Sequence, residues 1–163
     1  MSLKVFIFIF SLCSITLCKN LTNRQNKSDA MESSASELEY IVSDEKVNFF
    51  KAIISCLEAD MELATVLNKE QQERLDYSLR ESLTQEGYWL SGTNLPEPDI
   101  KQYYWLTGGK KAVYTNWLPE EPKLDVDEHC ISWLEKENGI GWSVQNCYAE
   151  LQYVCQYNPY KQT

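Results

Sequence analysis

The chain has 163 residues, of which 44% are hydrophobic and 12% aromatic, and it carries 24 acidic against 15 basic side chains. This length suits one ordinary domain with a short appendage, and the composition excludes wholesale disorder. The formal net charge of −9 argues against binding to nucleic acid or to anionic lipid, and the single histidine, His129, excludes His-rich metal sites.

Residues 1–18 have the pattern of a secretory signal peptide. Lys4 supplies a positive charge, and a 13-residue, almost wholly apolar run follows from Val5 to Leu17. A helix that spans a bilayer needs about 20 apolar residues, so we expect a cleaved signal and no transmembrane segment. We place cleavage after Cys18 and predict a secreted, extracellular protein; an uncleaved anchor is the alternative.

Residues 19–39 predict a polar, flexible tail. The segment is rich in Asn, Ser, Lys and Glu and offers little to bury. It contains two Asn-x-Ser/Thr sequons, at Asn20 and Asn26, which makes both asparagines candidate glycosylation sites.

Cleavage of the signal leaves four cysteines, an even number in an oxidising compartment. Such a set predicts two disulfides. Four cysteines allow three pairings, and their spacing does not choose among them. The four are Cys56, Cys130, Cys147 and Cys155.

A folded domain is expected over residues 40–157, followed by a C-terminal tail, 158–163. Its first half predicts a strand at Tyr40–Val42 and two helices, with Asn48 and Asn68 as their N-caps and Gln71 completing a capping-box-like pair. The apolar face of the first helix is expected to hold Phe49, Phe50, Ile53, Cys56 and Leu57, and the core stripe of the second Leu75, Leu79 and Leu83.

The second half predicts short strands and loops. Strands are expected at Tyr88–Leu90, Cys130–Leu134, from Trp142 onward, and at 151–157, where Leu151, Tyr153, Cys155 and Tyr157 would face inward. Asn138-Gly139 indicates a hairpin turn. Two helices followed by short antiparallel sheets and a long irregular loop region make an α+β arrangement.

Nine features follow one another along the domain in an order that resembles a known family. They are Cys56, Leu63-Ala64-Thr65, Tyr88-Trp89-Leu90-Ser91-Gly92-Thr93, Thr115-Asn116-Trp117, Glu121-Pro122, Cys130, Trp142, Cys147 and Cys155. This order resembles the C-type lectin domain, above all that of small secreted single-domain invertebrate members. The resemblance implies a C-type lectin-like fold with disulfides Cys56–Cys155 and Cys130–Cys147.

The resemblance also implies a ligand site. In sugar-binding members, about five side chains around a cis-proline loop hold a calcium ion that also contacts two sugar hydroxyls. Carried over by position, the five here are Glu121, Lys123, Glu128, Ser143 and Val144. Only the two glutamates match the family pattern.

Lys123 removes an oxygen and adds a positive charge, which if held at 4 Å with an effective dielectric of 20 would repel a calcium ion by roughly 8 kcal/mol. The flexible lysine stem can swing into water, which makes the actual penalty much smaller. We therefore hypothesise that this remnant site binds no calcium in the usual way, and no cofactor is expected. A second calcium site of the family falls in the loop with Asn94, Glu97 and Asp99. Which of these residues correspond to the family's ligand positions is left open.

An acidic loop surrounds these positions, with Glu120, Glu121, Asp125, Asp127 and Glu128. It could form an unorthodox calcium site, attract a basic protein or simply be solvated, and the last interpretation is preferred. The five tryptophans are read as core or loop anchors rather than sugar-stacking rings.

No enzyme is predicted, because the sequence contains no Gly-x-Ser-x-Gly elbow and its lone histidine adjoins a cysteine expected in a disulfide. Two functional hypotheses remain, each with an extracellular partner. One is a carbohydrate-binding lectin with a modified site, and the other is a lectin-fold module that binds protein without calcium or sugar.

Overall fold

A computed structural model describes residues 40–80, 86–98, 102–123, 127–137 and 139–157 of the chain. The predicted signal peptide, the polar tail with Asn20 and Asn26, and the C-terminal tail lie outside the described residues. Asp99 and Asp125 also lie outside them.

Two helices form where the caps predict them, α1 at Phe49–Glu58 and α2 at Lys69–Leu79. The Asn48 side chain accepts a hydrogen bond from the Lys51 amide, and Asn68 accepts one from the Gln71 amide, each at 2.9 Å. The Gln71 side chain accepts from the Leu67 amide, one residue before the cap. Both N-caps are confirmed, because each satisfies an amide that the first helical turn leaves without a partner.

The burial of α1 differs from the prediction. Phe49, Ala52 and Cys56 are fully buried, whereas Phe50 and Leu57 remain 38% and 48% exposed. The expectation that all the apolar residues share one buried face was wrong, because α1 is apolar on two faces and only one of them packs on the sheet. In α2, Leu75 and Leu79 are buried as predicted, and Leu83 lies outside the described residues.

The strands of the described residues form one mixed sheet. They are β1 Tyr40–Val42, β2 Glu62–Leu63, β3 Tyr88–Thr93, β4 Tyr104–Trp105, β5 Lys110–Lys111, β6 Cys130–Lys136, β7 Gly139–Gln145 and β8 Gln152–Gln156. β8 pairs antiparallel with β1 and β2 but parallel with β3, so the sheet is not antiparallel throughout. β3 continues the sheet to β4 and β6, and β6 pairs with β7.

The β6–β7 hairpin carries one side of the candidate site. Its register runs from Cys130 opposite Gln145 to Lys136 opposite Gly139. Gly139 has φ +136°, a conformation that favours glycine at the predicted turn. The return strand begins at Gly139, earlier than the predicted Trp142, because pairing continues to the turn itself.

Strand β8 is buried on both faces, so the expectation of a single inward face was wrong. Val154 is fully buried in a core cluster with Leu75, Leu79 and the tryptophans of β4, β6 and β7. Cys155, on the other face, and Leu151, just before the strand, belong to a second cluster with Phe49 and Trp89. A strand that packs between two cores needs apolar residues on both faces, and Val154 is the apolar residue on the face that was expected to point outward.

The two disulfides lie within the second cluster. Cys56 of α1 pairs with Cys155 of β8, and Cys130 of β6 pairs with Cys147, the pairs that the resemblance implies. The first links positions 99 apart in sequence and so joins the beginning of the domain to its end.

Candidate functional site

The loop that bears the predicted ligand positions is anchored on β7. The Leu118 amide donates to the Trp142 carbonyl at 2.9 Å, and the Trp142 amide donates to the Asn116 carbonyl at 2.7 Å. Beyond this anchor the Glu121–Pro122 peptide bond is cis, and Glu120 has φ +68°. The Glu121 amide donates to the Leu118 carbonyl at 3.0 Å, so the chain turns here, and the Glu121 side chain reaches Ser143 and Val144 of β7.

The Glu121 carboxylate is the centre of a small network. Its side chain is only 3% exposed. One oxygen, Oε1, accepts a hydrogen bond from the Ser143 hydroxyl at 3.0 Å. The other, Oε2, accepts from the Lys123 amide at 3.1 Å and from the Val144 amide at 3.4 Å. Both oxygens are thus bound by donors of the protein itself, as a buried carboxylate requires.

Lys123 supplies a cation to the same carboxylate. Its ammonium nitrogen lies 4.0 Å from Glu121 Oε1, while the lysine side chain remains 57% exposed. The Val144 side chain is 1% exposed and packs in the larger core cluster, so only its backbone reaches Glu121. We call Glu121, Lys123, Ser143 and Val144 the Glu121 site.

The remaining predicted site residues differ in their exposure to solvent. Asp127 is exposed, Glu128 is half-buried, and Asp125 lies outside the described residues. Burial, with the negative charges of Glu121 and Glu128, raises the pKa of Tyr103 to about 12. The Tyr103 hydroxyl is buried without a hydrogen-bond partner. Sequence reasoning missed this residue, and the only signal for it was its place in the aromatic run Tyr103-Tyr104-Trp105.

The loop with Asn94 and Glu97, the second candidate calcium position, is hydrogen-bonded to His129. The His129 Nδ1 atom and the Asn94 Oδ1 atom are 2.8 Å apart, and the Asn94 amide donates to the His129 carbonyl at 3.1 Å. The Glu97 carboxylate accepts a hydrogen bond from the Tyr104 hydroxyl. The side chains of Asn94 and Glu97 are therefore engaged with the protein.

A group of aromatic rings packs around Trp142, the residue that precedes Ser143 of the Glu121 site. The Trp142 ring makes edge contacts with Trp105, Tyr114 and Trp117, at centroid distances of 5.3, 5.9 and 5.6 Å. Four of the tryptophans, at 89, 105, 133 and 142, are fully buried, and Trp117 is half-buried. The rings serve as anchors of the core and of the loop.

A polar chain on α2 holds these rings in place. Trp142 Nε1 donates to Gln72 Oε1 at 2.8 Å, Gln72 Nε2 donates to Asp76 Oδ1 at 2.7 Å, and Trp133 Nε1 donates to the same oxygen at 2.7 Å. Sequence reasoning missed Gln72. The available signal was its position three residues before Leu75, on the stripe that α2 buries.

Metal-binding side chains do not converge in the part of the chain that the structure describes. No group of three or more His, Cys, Asp or Glu there is arranged to hold a metal ion. Within the same residues, neither helix has the length and apolarity that crossing a membrane requires.

Comparison with known proteins agrees with the fold. The profile of the Lectin C-type domain family matches residues 45–157, and the chain belongs to this family of binding domains. A relative, the C-type lectin mosGCTL-7 of Culex quinquefasciatus, is 29% identical over 126 residues, which cover 71% of this chain and 72% of the relative.

Solved structures show the same architecture. Human lithostathine superposes with a TM-score of 0.66 at 16% identity, over 74% of this chain and 92% of its own. The carbohydrate-recognition domain of the mouse scavenger receptor C-type lectin gives a TM-score of 0.63 at 21% identity, over 74% and 88% of the two chains. The predicted family and fold class are confirmed.

Proposed function

We propose that this protein is a secreted C-type lectin-like recognition protein that binds its ligand, a carbohydrate in the first instance, without calcium. The observation that carries the proposal is that the protein's own groups already occupy both oxygens of Glu121. Both of its oxygens accept hydrogen bonds from the protein, and the Lys123 ammonium stands 4.0 Å away. A calcium ion needs six to eight oxygen ligands, and the Glu121 site does not fit it.

The missing ligands cannot be recovered by small movements. Val144 carries no side-chain oxygen and is packed in the core. Ser143 is 2% exposed, and its hydroxyl already donates to Glu121. A cation entering here would have to displace Lys123 and also break the bonds that hold the loop against β7.

A sugar would instead be bound by direct hydrogen bonds. The exposed polar groups of this loop include the Lys123 ammonium, within the Glu121 site, and the carboxylates of Glu120 and Asp127. Each can bond a sugar hydroxyl, as a donor in the first case and as acceptors in the other two. Such contacts give modest affinity, because each replaces a hydrogen bond to water.

A glycan array read in calcium and again in chelator tests the proposal. We expect the same glycans to bind in both conditions, and Lys123→Met to weaken binding, while Lys136→Met, an exposed lysine at the end of β6, leaves it unchanged. Calcium binding measured by calorimetry below 1 mM and lost in Glu121→Ala would overturn the proposal.

A second candidate is a protein ligand, favoured by the exposed acidic side chains of Glu120 and Asp127 in the acidic loop. In that case the array is silent in both conditions, and a basic extracellular protein is captured by the wild-type chain. Capture should then weaken as salt rises, because charges separated by more than about 10 Å are screened at 0.1 M salt.

A further inference from the structure

Helix α1 presents a second apolar face to solvent. Phe50, Ile54 and Leu57 are 38%, 48% and 48% exposed and follow one another at spacings of four and three residues. With 3.6 residues per turn, these positions form one stripe along the helix, opposite the buried Phe49, Ala52 and Cys56.

Tyr148 widens this stripe. Its ring lies 5.6 Å from the Phe50 ring, and the residue is 76% exposed. We call Phe50, Ile54, Leu57 and Tyr148 the α1 stripe. A contiguous exposed apolar patch of this kind marks an interaction surface more often than isolated exposed residues do.

The charges beside the stripe are arranged symmetrically about its centre to within one residue. Lys51 and Glu58 lie three residues before and four residues after Ile54, just as Phe50 and Leu57 lie four before and three after. Within one chain the Lys51 ammonium and the Glu58 carboxylate are 3.2 Å apart, with both side chains about half exposed or more, at 45% and 65%.

These two charges oppose the helix dipole. A cation in the first turn and an acid at the last residue are each the less favourable choice, because the N-terminus of a helix is positive and the C-terminus negative. A second helix running antiparallel would bring an acid to the cation and a cation to the acid.

We propose that the α1 stripe is a self-association surface that binds a second copy of this chain. The two α1 helices pack antiparallel about a two-fold axis at Ile54, which brings Phe50 within about 1.5 Å, one residue of helical rise, of the level of the partner's Leu57, and Lys51 equally close to the level of the partner's Glu58. A two-fold contact requires such self-complementarity, since each pair occurs twice. This contact is separate from the Glu121 site and does not depend on the ligand proposed for it.

The size of the surface sets its strength. Side chains of this kind each bury roughly 150–250 Å² when wholly enclosed, and the exposed parts of the four add up to roughly 400 Å² per copy. The total of roughly 800 Å² falls below the 1,200 Å² typical of stable specific complexes. The dimer is therefore weak, with Kd on the order of 100 μM.

Sedimentation equilibrium of the full secreted chain, from about 5 μM to 1 mM, tests the proposal. We expect a monomer–dimer equilibrium that Ile54→Lys weakens at least about tenfold, because two ammonium groups would meet at the axis. Val113→Lys, at a residue 91% exposed outside the stripe, is the matched control and should leave Kd unchanged. A thermal melt of each variant verifies that it folds.

Charge exchange supplies a second test that needs no change in the stripe. Lys51→Glu alone and Glu58→Lys alone should each weaken the dimer, and the two together in one chain should restore it. A chain that stays monomeric at 1 mM overturns the proposal. A dimer that is indifferent to Ile54→Lys, or that the double charge reversal fails to restore, overturns it as well.

Discussion

Replacing Glu121 by alanine tests whether this carboxylate is part of the structure or a ligand waiting for a metal. The substitution leaves the amide of the buried Val144 without its acceptor, and it leaves the hydroxyl of the buried Ser143 with only the longer hydrogen bond to the Val144 carbonyl, at 3.4 Å. Each buried donor without a partner costs about 1–3 kcal/mol. The Lys123 amide belongs to an exposed residue and can turn to water.

Removal of a carboxylate that is costly to bury offsets part of this loss, so the free energy of unfolding should fall by about 2–3 kcal/mol. For a domain of this size that lowers Tm by roughly 8–12 °C. The assay is thermal unfolding followed by circular dichroism, in chelator and again in calcium. We expect the same loss in both conditions.

Two companion variants sharpen the measurement. Glu121→Gln keeps the shape, and its carbonyl can accept both amides while its NH₂ donates to Ser143, so it should lose only about 1 kcal/mol. Glu135→Ala, at an exposed position on β6, should stay within about 0.5 kcal/mol of wild type. The reasoning is refuted if Glu121→Ala melts like wild type, or if calcium raises the wild-type Tm and Glu121→Ala abolishes the rise.

Three further perturbations follow from the packing. Tyr103→Phe removes a buried hydroxyl without a partner and should add up to about 1 kcal/mol at pH 8 in a urea melt. Folding raises the Tyr103 pKa from 10.0 to about 12, so the wild-type free energy of unfolding is at its full value below pH 10 and falls as the pH rises through 12, by up to about 3 kcal/mol. Tyr103→Phe should not show this loss, and equal pH slopes for the two proteins would contradict the reasoning. Gly141→Ala places a Cβ 2.7–3.2 Å from the backbone of residues 116–118 and should cost about 2–4 kcal/mol, against about 1 for Gly109→Ala, which meets open space; similar melts would contradict the close approach. Opening the disulfide between α1 and β8 by serine substitution should lower the free energy of unfolding by about 4.7 kcal/mol, and opening the one that begins at β6 should lower it by about 3 kcal/mol. The reverse order in chemical unfolding would count against the loop-entropy account.

Local chemistry explains why the elements could be predicted. The N-caps at Asn48 and Asn68 depend on amides three residues away, so the sequence alone indicates both helix starts. The fold class rested on the ordered cysteines and tryptophans, which the two cores use directly. Which face of α1 would be buried was beyond this reasoning, because apolar spacing does not tell which of two apolar faces meets the sheet.

The Glu121 site was only partly predictable. Position along the family pattern selected Glu121, Lys123 and Ser143, but not the bonds among them. The Ser143–Glu121 bond spans 22 residues and depends on the sharp turn at Glu120. Tyr103 lies directly before β4, and no sequence periodicity connects it to Glu121. Long-range polar contacts of this kind follow from the folded backbone, which places residues far apart in sequence side by side.

The register between β1 and β8 sets Tyr40 directly opposite Gln156. Paired strands are separated by about 4.8 Å, so a linker of a few residues could connect the two ends and the chain could be cut open at another point. The domain could equally be spliced into a surface turn of a host protein without stretching either junction. Its architecture is thus suited to modular reuse, since entry and exit occupy neighbouring positions.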